Sequence, residues 1–145
     1  MNSASQPAQR KSLAGVRLRK HADYVRAYAA ARKRQSPSMS WFLAPQANDV
    51  AETVSAPRVG LTVGKVIGKA HERNRIKRRM REALRRHVDL LPVGFDLILH
   101  PRRSVLTVEF AQLEAEIVRI LQQAAADASR AVAHSATRGQ AVPEP

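Results

Sequence analysis

Lys65-Val-Ile-Gly-Lys-Ala-His-Glu-Arg-Asn-Arg-Ile-Lys-Arg-Arg-Met-Arg-Glu-Ala-Leu-Arg-Arg86 is the stretch around which the chain is organised. Ten of these residues are cationic and two acidic, which places +8 of the formal net charge of +13 in one short segment. Ile76, Met80, Ala83, Leu84, His87 and Val88 nevertheless recur at steps of three and four, the spacing of one buried helical face. The spacing predicts a packed helix that turns its guanidinium groups outward. Arg73, Arg75 and Lys77 crowd its N-terminal half, where the helix dipole disfavours each cation by about 0.3–1 kcal/mol at low screening. A purely structural helix would carry Asp or Glu there. The arginine fork matches phosphate in a way lysine does not, so the pattern points to RNA or DNA rather than to a merely solvated face. Asn74 either caps this helix or bonds the ligand.

Working outward, Arg58-Val-Gly-Leu-Thr-Val-Gly-Lys65 alternates as a strand. Val59, Leu61 and Val63 point to one face; Arg58, Gly60, Thr62 and Gly64 leave the other nearly bare, which suits close packing by an aromatic ring or a nucleotide. On the far side of the basic helix, Leu91-Pro92-Val93-Gly94 stops it, and Phe95–His100 is an apolar run expected of a central strand. Two strands joined by a helix are expected to be parallel. Thr107 is a candidate cap for a last helix, with Phe110, Leu113, Ile117, Ile120, Leu121 and Ala124 at core spacing.

Towards the N-terminus, residues 21–34 read as a helix with Tyr24 and Tyr28 four apart and therefore neighbours. That pair is either core or a half-exposed platform on which a single strand stacks, each base worth about 1–3 kcal/mol. Ser36-Pro37 ends the helix. Met39–Ala44 reads as a strand with Met39, Trp41 and Leu43 on one face and Ser40, Phe42 and Ala44 on the other. Residues 45–56 form a loop, with a further short strand at Thr53-Val54 at most. Composition sets the ends: a basic arm at 1–15 and a tail at 124–145 without order, around one domain at 16–123.

The composition excludes several classes. With no cysteine there is neither a disulfide framework nor a thiolate zinc site. No segment approaches the roughly 18 apolar residues of a membrane span, and the start has no apolar run behind its charges, so a cytoplasmic protein with no membrane contact is expected. His21, His71, His87, His100 and His134 are scattered without metal-ligand spacing, no nucleophile and base fall together, and Lys65–Ala70 lacks the glycines of a phosphate-binding loop. No catalytic residue and no metal ligand is expected on the chain itself, and no obligate protein partner is evident. A pI near 11.5 makes attraction to nucleic acid general rather than specific.

Specificity comes from a resemblance. Arg58–Lys65 followed by Lys69-Ala-His-Glu-Arg-Asn-Arg-Ile-Lys-Arg78, together with Asp23-Tyr24-Val-Arg-Ala-Tyr28, resembles the protein subunit of bacterial ribonuclease P over roughly residues 17–123. The resemblance implies an α+β fold, a two-layer, ribosomal-protein-like sandwich with a mixed four-stranded sheet. Its βαβ crossover would be left-handed, against the usual rule. It also implies a function: a separate catalytic RNA, which holds the magnesium ions, removes the 5′ leader from precursor tRNA, and the protein binds that RNA and the leader. Lys65, Lys69, Arg73, Asn74, Arg75, Lys77, Arg78 and Arg81 would then contact the catalytic RNA. Tyr24, Tyr28, Arg58 and one of Trp41 or Phe42 would line the leader cleft. The chain departs from the family pattern at Gly64-Lys65-Val66, where Ser-Lys-Lys is common, and in carrying tyrosine where the cleft often has phenylalanine. A ribosomal or other structural RNA-binding protein is the alternative reading.

Overall fold

The computed structural model of the chain describes residues 13–46 and 56–140. Four strands, β1 (Arg32–Gln35), β2 (Met39–Pro45), β3 (Arg58–Leu61) and β4 (Phe95–Pro101), form one sheet in the order β1-β2-β4-β3. Three helices, α1 (His21–Ala30), α2 (Ala70–Arg85) and α3 (Phe110–Gln140), pack against it. β2 is antiparallel to both β1 and β4, whereas β3 and β4 run parallel, as the helical connection through α2 requires. This is the expected mixed four-stranded α+β architecture. Among the described residues, no helix is long and apolar enough to cross a membrane.

The period-two alternation of the strands decides what each face of the sheet does. Met39 and Trp41 of β2, Val59 of β3, and Leu97 and Leu99 of β4 meet Ile76, Met80, Ala83 and Leu84 of α2 and Leu113, Ile117 and Leu121 of α3 in one core. Each large aliphatic side chain buried there is worth about 1.5–3 kcal/mol, and together they fix α2 with its apolar stripe down and its cations out. On the other face, Ala27 of α1 packs on Ala44, Ile98 and Leu18, with Tyr24 and Phe42 at the margin. α1 covers only part of this face.

Four expectations need correction. The first helix stops at Ala30, and Arg32–Gln35, read as its end, is the edge strand β1. Arg34 stands 5.2 Å over the Trp41 ring and pairs with Asp127 at 2.8 Å, contacts from distant parts of the chain that no local period carries. The β3 strand ends at Leu61 rather than Lys65, because the chain turns into a 3-10 segment at Lys65–Ile67. Thr107 is not a cap: it closes the 3-10 turn Arg103–Leu106, and α3 starts at Phe110. Nor does order stop at 123. α3 continues to Gln140, and Ala124 and Ala128 are buried, since an alanine-rich segment holds a helix well once one side is packed. At the other end Leu13 is already buried, and Leu18 N–H donates to Val59 O at 2.9 Å, so the chain before α1 lies along the free edge of β3. Most of the arm, the Thr53-Val54 segment and residues 141–145 lie outside the described residues.

The bare face of β3 has its explanation in Tyr24. A Cβ added at Gly60 would sit 2.3 Å from Tyr24 Oη, far inside contact distance. Gly60→Ala is therefore expected to destabilise the protein by about 1–3 kcal/mol through overpacking. In a Tyr24→Ala background the same change should cost clearly less, which a double-mutant cycle followed by urea unfolding measures; equal costs in both backgrounds would rule out the contact.

Candidate nucleic-acid interface

The cations around α2 fall into two sets. Arg79 donates to the carbonyls of Leu106, at 3.0 Å, and Val108. Arg85 pairs with Glu82, and Arg86 with Glu82 and Glu114 while standing 5.2 Å over the Phe110 ring. Arg103 grips both oxygens of Glu72, at 3.0 and 2.7 Å, and the Ile67 carbonyl at 3.0 Å. These arginines hold the fold together. Lys65, Lys69, Arg75, Lys77, Arg78 and Arg81, in contrast, make no side-chain hydrogen bond or ion pair within the described residues. All six belong to the set expected to meet RNA.

Arg73 and Asn74 complete that set. Arg73 Nε donates to the Gly68 carbonyl at 3.1 Å, which aims the guanidinium while leaving its terminal nitrogens without a partner among the described residues. Asn74 is exposed a full turn inside α2, so of its two readings the cap is excluded. Glu72 does the capping: its carboxylate accepts the Lys69 N–H at 2.9 Å. The Arg103 bonds, then the Lys69 N–H, hold the Glu72 carboxyl down at about 2. The acid nearest the start of α2 is thus kept ionised and neutralised by an arginine, and the exposed face beyond it presents positive charge. Asn74, Arg75, Arg78 and Arg81 recur at steps that bring them onto one side of the helix.

A second surface lies on the opposite face of the sheet, beside α1. Tyr28 meets Phe42 edge to face with centroids 5.2 Å apart, and Tyr24 lies 6.2 Å from Tyr28. Tyr28 is 37% exposed, high for an aromatic ring in this fold, whereas burial raises the Tyr24 pKa and Tyr24 reaches the Leu18 carbonyl at 3.3 Å. The alternative left open between Trp41 and Phe42 resolves by strand alternation. Phe42 joins the tyrosines, while Trp41 is 3% exposed in the core beneath Arg34 and does not reach this surface. Arg58, partly exposed, is already engaged by the protein. It donates to both oxygens of the buried Asp96, at 2.8 and 3.1 Å, and to Asp23 at 3.0 Å, and the Asp96 bond raises its already high pKa. It is a latch between α1 and the sheet rather than part of the open surface.

The sequence reading missed His100, Thr62 and Lys33. The pairs Ser40↔His100 and Lys33↔Phe42 place His100 and Lys33 on the same face as Phe42. His100 Nε2 lies 2.7 Å from Tyr28 Oη, which in turn is 3.4 Å from Thr62 Oγ1. Burial, and then the charge of Lys33, lower the His100 pKa. The signal was present in the period-two pattern, but it needed the register between β2 and β4 to be read.

Residues 14–125 match the family model described as Ribonuclease P. The chain belongs to the ribonuclease P protein family. It is 37% identical to the ribonuclease P protein component of Chloroflexus aggregans over 109 residues, 74% of this chain and 76% of that one. With the protein component of Brucella melitensis it shares 36% over 109 residues, 72% and 76% of the two chains. The structure superposes on the ribonuclease P protein of Thermotoga maritima with a TM-score of 0.61 at 25% identity, covering 74% of this chain and 96% of that one. The Staphylococcus aureus protein, at 24% identity and a TM-score of 0.60, shares the fold, covering 79% of this chain and 96% of its own. Membership makes this chain the RNA-binding protein subunit of an endoribonuclease of tRNA processing, and the alternative of a ribosomal protein is not favoured.

Proposed function

We propose that the cations on and before α2 that have no partner among the described residues bind the catalytic RNA of ribonuclease P, and that the aromatic face beside α1 holds the 5′ leader of precursor tRNA. The observation that supports this most is the sorting of charge. Arg79, Arg85, Arg86 and Arg103 are spent on carbonyls and carboxylates of the protein, while Lys65, Lys69, Arg75, Lys77, Arg78 and Arg81 have no such partner among the described residues. Holding six or more like charges on one surface is unfavourable until a polyanion offsets them.

In this reading the chain supplies no nucleophile and no general base. Magnesium held by the catalytic RNA, in the cytoplasm where tRNA is matured, would supply the activation of water. The protein's cations offset phosphate repulsion between enzyme RNA and substrate. The second face adds affinity for precursor over product, because only the precursor has a leader. Tyr28 and Phe42 are the stacking rings, Tyr24 supports them from its seat on Gly60, and Arg58 fixes α1 at the right height above the sheet.

Two measurements test the two halves of the proposal separately. Arg75→Ala is expected to reduce the log-log salt slope of holoenzyme assembly by about 0.7–0.9, the loss of one phosphate contact, while Arg79→Ala lowers stability and leaves the slope alone. An unchanged slope for Arg75→Ala would remove that residue from the RNA contact. Tyr28→Ala is expected to weaken precursor tRNA binding by about 1–3 kcal/mol, one lost base stack, and to leave mature tRNA binding unchanged. Equal losses for both tRNAs would contradict a leader cleft.

A further inference from the structure

On the aromatic face one polar group stands out from the rings around it. The His100 ring is packed 5.0 Å from Phe42 and 5.6 Å from Tyr28, and it is half-buried at the end of β4. Its Nε2 is committed to the Tyr28 hydroxyl at 2.7 Å. No other hydrogen bond to the ring forms within the described residues, so Nδ1 is the polar atom left over. With no partner among the described residues, Nδ1 can bond a ligand group. The ring is neutral near neutral pH, since burial and Lys33 both disfavour the proton. Its tautomer is therefore tied to the Tyr28 bond: Nδ1 donates if Nε2 accepts from the hydroxyl, and accepts if Nε2 donates.

The surroundings define the ligand class. Aromatic faces offer every base the same stacking surface and discriminate poorly. A single hydrogen-bonding atom at the edge of such a platform meets the edge of a stacked base, where the bases differ. Lys33, on the same sheet face one strand beyond Phe42, supplies a cation for the connecting phosphate.

We propose that His100 reads the base edge of one leader nucleotide stacked on Tyr28 and Phe42, and so sets a leader sequence preference for this ribonuclease P. The proposal rests on the leader-cleft reading above and adds to it a specificity-determining residue. Thr62 and Tyr28 have a positioning role: the Thr62–Tyr28–His100 chain holds the imidazole in one orientation across α1, β4 and the segment after β3.

The test uses holoenzyme reconstituted from this protein and its catalytic RNA, with precursor tRNAs that carry all four bases at each leader position in turn. Relative kcat/KM is measured in competition for the unaltered protein, His100→Phe and His100→Gln. Glutamine places an amide where Nε2 was and can keep the Tyr28 bond, so it controls for folding and for the seat of Tyr28. The unaltered enzyme is expected to prefer one base at one position by about threefold to tenfold, the range of a single neutral hydrogen bond, and both variants to fall within about twofold at that position. Both should keep their advantage for precursor over mature tRNA. A preference that survives in both variants, or the absence of any preference in the unaltered enzyme, overturns the proposal. So does parallel loss of preference and precursor advantage in both, which would make His100 a packing residue. Failure of the leader cleft itself gives a different result, an unchanged precursor advantage in Tyr28→Ala.

Discussion

The burial of one helical stripe governs this molecule. Ile76, Met80, Ala83 and Leu84 are almost completely removed from water against β3, β4 and α3, and that contact leaves α2 no freedom to rotate about its axis. Everything cationic on the helix must then face away from the sheet or lie along its flanks. Some of these cations find protein partners: Arg79 takes two carbonyls and Arg85 and Arg86 take glutamates. Arg75, Lys77, Arg78 and Arg81 find none within the described residues. An apolar stripe of four residues thus determines which cations are structural and which remain for a polyanion.

The same sheet uses its other face differently. Alternation sends Phe42, Ala44, Ile98, His100 and Gly60 to the α1 side, and α1 covers only the part nearest Ala27. What remains is a strip of rings with a polar edge. Two carboxylates and one arginine keep the strip open at a fixed width, because Arg58 is bonded to Asp96 on β4 and to Asp23 on α1 at once. Removing that arginine would leave Asp96 buried and unpaired, which makes it a structural residue despite its position beside the cleft. The two faces are therefore built by separate contacts.

Much of this was legible in the sequence, for identifiable reasons. The basic helix, its buried face, the parallel pair around it and the two-sided patterns of β2 and β3 follow from local periodicity, which the structure keeps. β1 was not legible, because Arg32-Lys-Arg-Gln35 has no apolar alternation and becomes a strand through Trp41, Asp127 and the ladder to β2. The length of α3 escaped for the opposite reason: residues after Ala124 have the composition of a tail, and the packing of Ala128 and the Arg34–Asp127 pair tie the segment to the rest of the fold. At the candidate site, the cations on and before α2 were picked out from spacing and resemblance, and six of them have no side-chain partner among the described residues. Trp41 was misplaced because it faces the core beneath Arg34, and the bonds of Arg58 to Asp96 and Asp23 are visible only in three dimensions. His100 looked like one of five scattered histidines until register brought it to Tyr28.

We propose that this chain contributes charge and a leader platform but no catalytic group. The most direct measurement is the rate of precursor tRNA cleavage by the catalytic RNA at limiting magnesium, with and without the protein, beside the protein alone. The account predicts rapid cleavage at the mature 5′ end only when protein and RNA are combined, with the RNA alone reaching a comparable rate only at much higher magnesium. Cleavage by the protein without RNA, or no change in the magnesium requirement when the protein is added, would contradict it.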